Sequence, residues 1–275
     1  MEGIAGIADP RDILEDETAY ARGQELMLGD VNAAIEGARS AGADEIVVND
    51  SHWTMTNIHP AGLHKKARLI RGSSKRRLMM QGFEPDHDVA FFVGYHAKAG
   101  TAGGVLNHTM FPQMLHKIVI NGTEVGEMGI NAGLPKHHSV PVGLVTGDDK
   151  TAVEAVDEFG EGNVETVAVK EGIDRFTANS KPLPQAREEI KTAAETAVGR
   201  AASNDFSQPQ FDEPVGIEIE WAATNHAARA AELQGVDRVN GRTTRVEAAT
   251  YPEAYDEAMA MVNAASAAYN QLFTW

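Results

Sequence analysis

Apolar residues along the chain fall into two patterns, short uninterrupted runs and longer stretches at helical spacing. Short runs bounded by polar residues are typical of buried strands. They occur at 44–50, 88–96, 115–122, 140–149 and 164–170. Helical spacing, with apolar residues three and four apart, occurs at 18–41, 150–160 and 185–202. Strands that alternate with helices in this way indicate an α/β architecture.

The C-terminal part of the chain repeats this alternation after a polar linker at 203–214. The pattern there predicts a strand, a helix, a strand and a helix at 215–220, 224–233, 242–248 and 252–270. We therefore predict two units, a larger α/β domain over 1–204 and a smaller C-terminal α/β subdomain over 215–275. The sheet is expected to be mixed and largely parallel and flanked by helices, with a hairpin turn at Asn121-Gly122.

Composition adds constraints on function. The chain has 275 residues, enough for a sizeable core, and a formal net charge of −16 from 40 acidic and 24 basic residues. This excess argues against nucleic acid as a partner, because phosphate binding needs a positive surface. It is also compatible with a salt-rich cytoplasm, where charge keeps proteins soluble. There are no cysteines, so a metal site would use His, Asp and Glu ligands.

Two further observations concern location and surface. No apolar run reaches the length of a membrane span, and the N-terminus lacks the pattern of a signal peptide. We therefore expect a cytoplasmic protein with no membrane partner. One basic segment, 65–77, interrupts the acidic chain. We interpret it as a solvated loop, with an anion-binding site as the weaker alternative.

Residues suited to chemistry follow two of the predicted strands. His52 comes after the strand at 44–50, and His96 ends the run at 88–96. Ligands of open α/β sheets bind at the carboxyl ends of strands, so both histidines are candidate site residues. Glu127 begins a predicted short helix, and His108 lies in a glycine-rich loop able to approach a substrate closely. The sequence contains no HExxH or other compact metal motif.

Other polar residues have simpler interpretations. A lone buried histidine is more often hydrogen-bonded than metal-bound, and we expect no function for His59, His64, His87, His116, His137 and His138. The pair His137-His138 is expected in a surface loop. Asn49 and Asp50 are candidates to orient the ring of His52, although capping of the strand end explains them nearly as well.

Four short motifs point to a known family. The order and approximate spacing of peptidase family M55 are matched by MEGIAG at 1–6, VNDSH at 48–52, GYHAKAGTAGGVLNHTM at 94–110 and VGEMGINA at 125–132. The chain resembles these zinc D-aminopeptidases over essentially its whole length, through YARGQELM, VPVGLVTGDDK and GRTTRVEA. The resemblance implies an aminopeptidase that hydrolyses short peptides with D-residues at the amino end by means of a metal-activated water.

The resemblance also implies roles for individual residues. Four positions that hold two zinc ions in the family are matched by Glu2, His52, His96 and Glu127. The position of a catalytic histidine is matched by His108, which would act as an acid/base or stabilise the developing oxyanion. Imidazole and carboxylate ligands suit zinc, so the residue types agree with this chemistry.

One further ligand of the family has no counterpart in this sequence. The family pattern places an aspartate that bridges both metals two positions before Glu2, at the end of a first strand. Met1 matches the residue between that aspartate and Glu2. We therefore expect Met1 to be an internal methionine of Asp-Met-Glu-Gly, and we expect binding of the second zinc to be weakened in the chain as given.

The remaining expectations concern the oligomeric state of the protein and two alternative functions. The resemblance implies a homo-oligomer, with a decamer as the expected form and a short peptide as the substrate. One alternative is a catalytically inactive relative that binds peptides or metabolites in the same pocket. A second alternative is an unrelated α/β enzyme acting on nucleosides or phosphates. It lacks support, because neither GxxxxGK[ST] nor GxGxxG occurs in a suitable context.

Overall fold

The structure is a computed structural model that describes residues 1–14 and 19–268. Its helices are α1 (Tyr20–Ser40), α2 (Glu127–His137), α3 (Asp149–Phe159), α4 (Leu183–Ala202), α5 (Thr224–Ala230) and α6 (Tyr251–Ser266). Its strands are β1 (Ile46–Asn49), β2 (Ala67–Ile70), β3 (Ala90–Phe92), β4 (Leu115–Ile120), β5 (Thr123–Val125), β6 (Val142–Asp148), β7 (Glu165–Asp174), β8 (Thr177–Ser180), β9 (Val215–Trp221), β10 (Asp237–Arg238) and β11 (Thr243–Ala248). The alternation of strands and helices confirms the predicted α/β class.

Four strands form a mixed sheet in the order β3-β6-β7-β8. The pairs β3–β6 and β6–β7 are parallel, and β8 adds an antiparallel edge. Every residue of β6 is buried, as expected for an apolar strand covered on both faces. Helices α3 and α4 pack against this sheet, and α1 packs on α4. The strand predicted at 88–96 is confirmed only over β3, since Gly94 turns the chain with a φ of +74°.

A small parallel sheet pairs β1 with β2. Because β2 lies inside the basic segment 65–77, the interpretation of that segment as a solvated loop is wrong for Ala67–Ile70. The Lys75 ammonium is buried and donates to Asn49 Oδ1 at 2.7 Å. The Arg77 guanidinium pairs with Asp256 at 2.9 Å. These cations already have partners, which disfavours an anion site there.

An apolar cavity lies between β1 of this sheet and β3 of the four-stranded sheet. Among the described strands, β1 pairs only with β2 and β3 pairs only with β6, so no backbone ladder joins β1 to β3. The space between them is a cavity of about 250 Å³. It is lined by residues of α1, β1 and β3, among them Ile35, Val48 and Phe91. Side-chain contacts therefore hold this part of the molecule together.

The third sheet is antiparallel, in the order β10-β11-β9-β4-β5. The predicted hairpin turn is confirmed, because Asn121 and Gly122 link β4 to β5 with φ values of +48° and +85°. Such left-handed pairs are typical of the tight turns that match the twist of a hairpin. Helices α2, α5 and α6 pack beside these strands.

The predicted C-terminal subdomain shares this sheet with the predicted larger domain. The segment 215–275 supplies β9 to β11, whereas β4 and β5 come from 1–204. Strands β4 and β9 pair directly across the proposed boundary. The division into two units therefore stays a prediction.

Two predicted helix ends, at Thr18 and at 270, lie outside the described residues. None of the described helices has the length and apolar character needed to cross a membrane.

Candidate metal centre

Five side chains from distant parts of the sequence meet in one place. Glu2 lies in the N-terminal segment, His52 follows β1, His96 follows β3, His108 lies in the glycine-rich loop and Glu127 is the first residue of α2. Glu2, His52 and His96 are buried, and the side chains of His108 and Glu127 are 14% and 11% exposed. The folding of β1, β3 and α2 thus brings all five candidate residues together.

The polar atoms of the cluster face one another at short distances. Glu2 Oε2 is 3.2 Å from His52 Nδ1, and Glu127 Oε1 is 3.3 Å from His96 Nε2. His108 Nε2 is 3.6 Å from Glu127 Oε1 and 3.9 Å from Glu2 Oε1. The rings of His96 and His108 are stacked, with their centroids 4.0 Å apart. The cluster therefore has two carboxylates, each directed at imidazole nitrogens.

This arrangement fits a metal ion. One ligand atom from each of Glu2, His96 and His108 lies within 4.8 Å of the others. Zinc binds imidazole nitrogen and carboxylate oxygen at about 2.0–2.1 Å in a tetrahedron, which places neighbouring ligand atoms about 3.3 Å apart. The 3.2–3.9 Å separations in the cluster are close to that spacing. Both the donor types and their distances suit zinc.

Each imidazole of the cluster uses one ring nitrogen to bind a backbone carbonyl. His52 Nε2 lies 2.9 Å from the oxygen of Ile13, and His96 Nδ1 lies 3.1 Å from that of Ala97. His108 Nδ1 lies 2.8 Å from the oxygen of Leu106. A carbonyl only accepts hydrogen bonds, so each of these nitrogens carries the proton. The opposite nitrogen of the neutral ring then directs its lone pair into the cluster, as a metal ligand must.

The residues expected to orient the His52 ring bond to other groups. The Asp50 carboxylate accepts from Asn57 Nδ2 and from the Ile58 amide, both at 2.7 Å. Asn57 also donates to the His52 carbonyl at 2.6 Å. Asp50 therefore holds the backbone of the His52 loop, and the ring itself is bound to Ile13, so the structure favours the alternative of capping at the strand end for Asp50. The contacts of Asn57 and Ile13 were not predicted, because no sequence pattern identifies which loop amide or backbone carbonyl will bind a site residue.

Burial and charge shift the pKa values within the cluster. Burial opposes the charged imidazole of His96, but the adjacent Glu127 outweighs it and raises the His96 pKa to about 9. The same contact lowers the pKa of Glu127 to about 2 in spite of burial. The pKa of Glu2 also lies well below its ordinary value, because His52, the N-terminal ammonium and His96 together outweigh the effect of burial. Without a metal, the cluster therefore has two ionised carboxylates around a protonated His96.

The pKa of His108 shifts the other way. Burial and the nearby charge of His96 lower it below its ordinary value. His108 is therefore a neutral base at neutral pH. Its Nε2 atom faces Glu2 and Glu127, which places a proton acceptor beside the carboxylates.

A pocket of about 80 Å³ opens onto the cluster. Its other walls are largely apolar and include Met79 and Phe111. Four non-glycine residues in this lining, Trp53, Met55, Leu78 and Met110, have left-handed φ values of +46°, +57°, +42° and +55°. Such backbone is uncommon for large residues and concentrates at functional sites.

The histidines for which no function was expected lie elsewhere. His137 pairs with Glu213 at 2.8 Å, and its ring contacts that of His138 edge-on. His87 and His138 contact the ring of Phe83. Neither these nor His59, His64 and His116 belong to the described lining of the pocket.

The comparisons with known proteins agree with this geometry. The model of peptidase family M55, described as D-aminopeptidase, matches residues 1–260. This chain belongs to the M55 family. A D-aminopeptidase of Bacillus subtilis (strain 168) is 34% identical over 267 residues, which cover 96% of this chain and 95% of that protein.

The M55 chain also has a close structural neighbour. It is the Zn-dependent D-aminopeptidase DppA from Bacillus subtilis, described as a self-compartmentalizing protease. The TM-score is 0.89 at 31% identity, over 100% of this chain and 97% of DppA. The predicted family is confirmed, and the alternative of an unrelated nucleoside- or phosphate-handling enzyme is wrong.

Proposed function

We propose that this M55 protein is a zinc-dependent aminopeptidase that releases the N-terminal residue, in its D configuration, from short peptides. The observation that carries the proposal is the buried cluster in which each of three imidazoles binds a carbonyl with one nitrogen and faces a carboxylate with the other. The alternative of an inactive relative is not favoured, because the chain is 34% identical to a D-aminopeptidase over 96% of its length.

The ligands that would hold zinc are Glu2, His52, His96 and Glu127. Zinc in such a site lowers the pKa of a water towards neutrality and polarises an amide carbonyl. The chain itself contributes the fixed orientation of the imidazoles and the ionised state of both carboxylates.

His108 is the proposed acid/base. Its lowered pKa leaves Nε2 unprotonated at neutral pH, and the Leu106 carbonyl holds the ring in place. Nε2 accepts a proton as water adds to the carbonyl carbon of the peptide bond. The same atom then donates that proton to the leaving amine nitrogen as the carbon–nitrogen bond breaks, which restores neutral His108.

The pocket gives one indication about the substrate. Its volume of about 80 Å³ and its apolar walls suit a short, uncharged side chain. The pocket therefore favours peptides with a small N-terminal residue.

A direct assay tests the proposal. Zinc-loaded protein is incubated with D-Ala-D-Ala, L-Ala-L-Ala and N-acetyl-D-Ala-D-Ala, and its zinc content is measured by elemental analysis. We expect bound zinc and release of alanine from the free D-peptide well above the other two. Bound zinc with no release from any peptide would identify an inactive relative. Protein that binds no zinc would contradict the metal centre.

Assembly and location are proposals on other grounds. The structural neighbour is described as self-compartmentalizing, which supports a homo-oligomer for this chain, and we propose a decamer. The chain contains no cysteine, which is compatible with the cytoplasm as the proposed location.

A further inference from the structure

The segment that carries Glu2 is held by a lysine from the central sheet. Residues 1–7 contain neither helix nor strand, so their carbonyls have no regular ladder of partners. The Lys170 ammonium, on β7, donates to three of them. Nζ lies 2.5 Å from the oxygen of Glu2, 3.0 Å from that of Ile4 and 2.5 Å from that of Ile7.

The chemistry of Lys170 matches this task. An ammonium has three donors and no acceptor, and all three donors of Lys170 go to the same short segment. The residue is only 2% exposed. A buried ammonium is strongly destabilising unless its protons are bonded, so the segment and the lysine require each other. Any displacement of the Glu2 backbone would leave one of these protons unbonded.

Two further contacts hold the segment from other sides. The Asp30 carboxylate, on α1, accepts from the Ala5 amide at 2.8 Å and is itself paired with Arg187 at 3.2 Å. The Gly3 amide donates to the Gly94 carbonyl at 3.1 Å. A Cβ atom at Gly3 would lie 1.7 Å from the Tyr95 carbonyl oxygen, so only glycine allows this approach. The backbone on both sides of Glu2 is thus fixed.

We propose that Lys170 is a positioning residue of the metal centre: it fixes the backbone of residues 2–7 so that the Glu2 carboxylate faces His52, His96 and His108. The inference rests on the proposed function in one respect, that Glu2 is a zinc ligand. Lys170 touches neither the substrate nor the metal. It acts only through the carbonyls that it binds.

A second buried lysine provides a matched control. Lys136 is 3% exposed, near the end of α2, and its ammonium lies 2.5 Å from Glu158 Oε1. Removing its charge disturbs the fold at a comparable degree of burial. It is nine positions along α2 from Glu127 and has no contact with residues 1–7 among its described hydrogen bonds. A comparison of Lys170→Met with Lys136→Met therefore distinguishes a loss of positioning at the metal centre from a general loss of stability.

The experiment measures zinc affinity by chelator competition, kcat and KM at saturating zinc, and the melting temperature. We expect Lys170→Met to weaken zinc binding about 10–100-fold, the range typical of residues that orient metal ligands. It should also lower kcat more than it raises KM. Lys136→Met should lower the melting temperature and leave zinc affinity within a factor of two or so, as expected for a change remote from the ligands.

Amide hydrogen exchange in the metal-free protein also tests whether Lys170 fixes residues 2–7. In zinc-free protein, the amides of Gly3 and Ala5 should exchange with deuterium faster in Lys170→Met than in Lys136→Met. If Lys170→Met does not fold, Asp30→Ala loosens the segment from its other side and should weaken zinc binding in the same direction.

The outcomes are distinct. Equal zinc affinity in Lys170→Met, Asp30→Ala and the wild type would overturn the positioning role, even if both variants melt earlier. A wild-type protein that binds no zinc would instead contradict the proposed function, and the amide exchange would still report on the segment.

Discussion

At the scale of the residue, the metal centre depends on carbonyl groups as much as on its side chains. The carbonyls of Ile13, Ala97 and Leu106 each accept a hydrogen bond from one imidazole and so select which nitrogen faces the carboxylates. Because the accepting atom belongs to the backbone, substituting those three side chains would leave the hydrogen bonds in place. Substitutions of the histidines themselves are therefore the sharper tests.

We expect His96→Ala to abolish zinc binding and activity. The change removes the imidazole that faces Glu127 at 3.3 Å and leaves a buried carboxylate with one neighbour fewer. Zinc per chain and turnover of D-Ala-D-Ala measure the effect. His137→Ala is the control, because His137 pairs with Glu213 and should be dispensable for both. Equal behaviour of the two variants would refute the site assignment.

Zinc affinity should rise with pH up to about 9. The pKa of His96 is raised to about 9 in the metal-free protein, so below that pH zinc has to displace a proton from this ring. Glu127, with a pKa of about 2, is ionised throughout this range and adds no dependence of its own. Zinc titrations between pH 6 and pH 9 should release protons and should show that the affinity for zinc increases with pH. An affinity that falls over this interval would contradict the pKa shift.

At the scale of the element, α2 carries Glu127 at its first residue and is fixed by contacts with α6. The Tyr251 hydroxyl donates to the Ile130 carbonyl at 2.7 Å, and Tyr255 bonds to Asn131 at 3.0 Å. Gly133 lies directly against the Tyr251 ring, and an added Cβ would be 1.8 Å from its Cζ atom. The two helices approach this closely only because position 133 has no side chain.

Gly133→Ala should destabilise the protein by about 1–3 kcal/mol, since overpacking outweighs the better helix propensity of alanine. Gly199→Ala is the matched control on α4, where an added Cβ meets nothing within 4 Å. That variant should gain about 0.5–1 kcal/mol from propensity alone. Urea unfolding of both variants gives the comparison. Stabilisation by Gly133→Ala would show that the helices separate at little cost.

Elements differ in how readily the sequence predicts them. The apolar run of β6, the turn at Asn121 and Gly122, and the helical spacing of α4 are local signals, and the structure confirms them. Strands β2 and β8 were not predicted, because β2 is only four residues long and lies in the basic segment 65–77, and β8 is largely polar and lacks an apolar run. The positions of strand ends and the family motifs were enough to predict the five candidate site residues. No motif in the sequence indicates the role of Lys170, because its partners are backbone carbonyls more than 160 positions away.

At the scale of the whole molecule, the negative net charge of each chain works against the assembly of an oligomer. A formal charge of −16 on every chain repels further copies, and salt screens that repulsion. If this chain assembles as proposed, its oligomer should be favoured at higher ionic strength.

Light scattering after size exclusion tests the assembly. We expect a mass that is a multiple of the 29.5 kDa chain, tenfold for the proposed decamer, at salt concentrations near 0.15 M and above. Partial dissociation is expected near 0.01 M, where charges interact over about 30 Å. A single-chain mass at every salt concentration would contradict the proposed homo-oligomer.

The cavity between β1 and β3 has a mechanical consequence. Among the described residues, apolar side chains and no ladder join β1 to β3, so we expect this seam between the two strands to open at a lower free energy than the sheet around β6. His52 follows one side of the seam and His96 follows the other. Opening of the seam would separate these two imidazoles. A small apolar guest lodged in the cavity would stiffen the seam, and the spacing of the imidazoles would respond without any contact between guest and metal ligands.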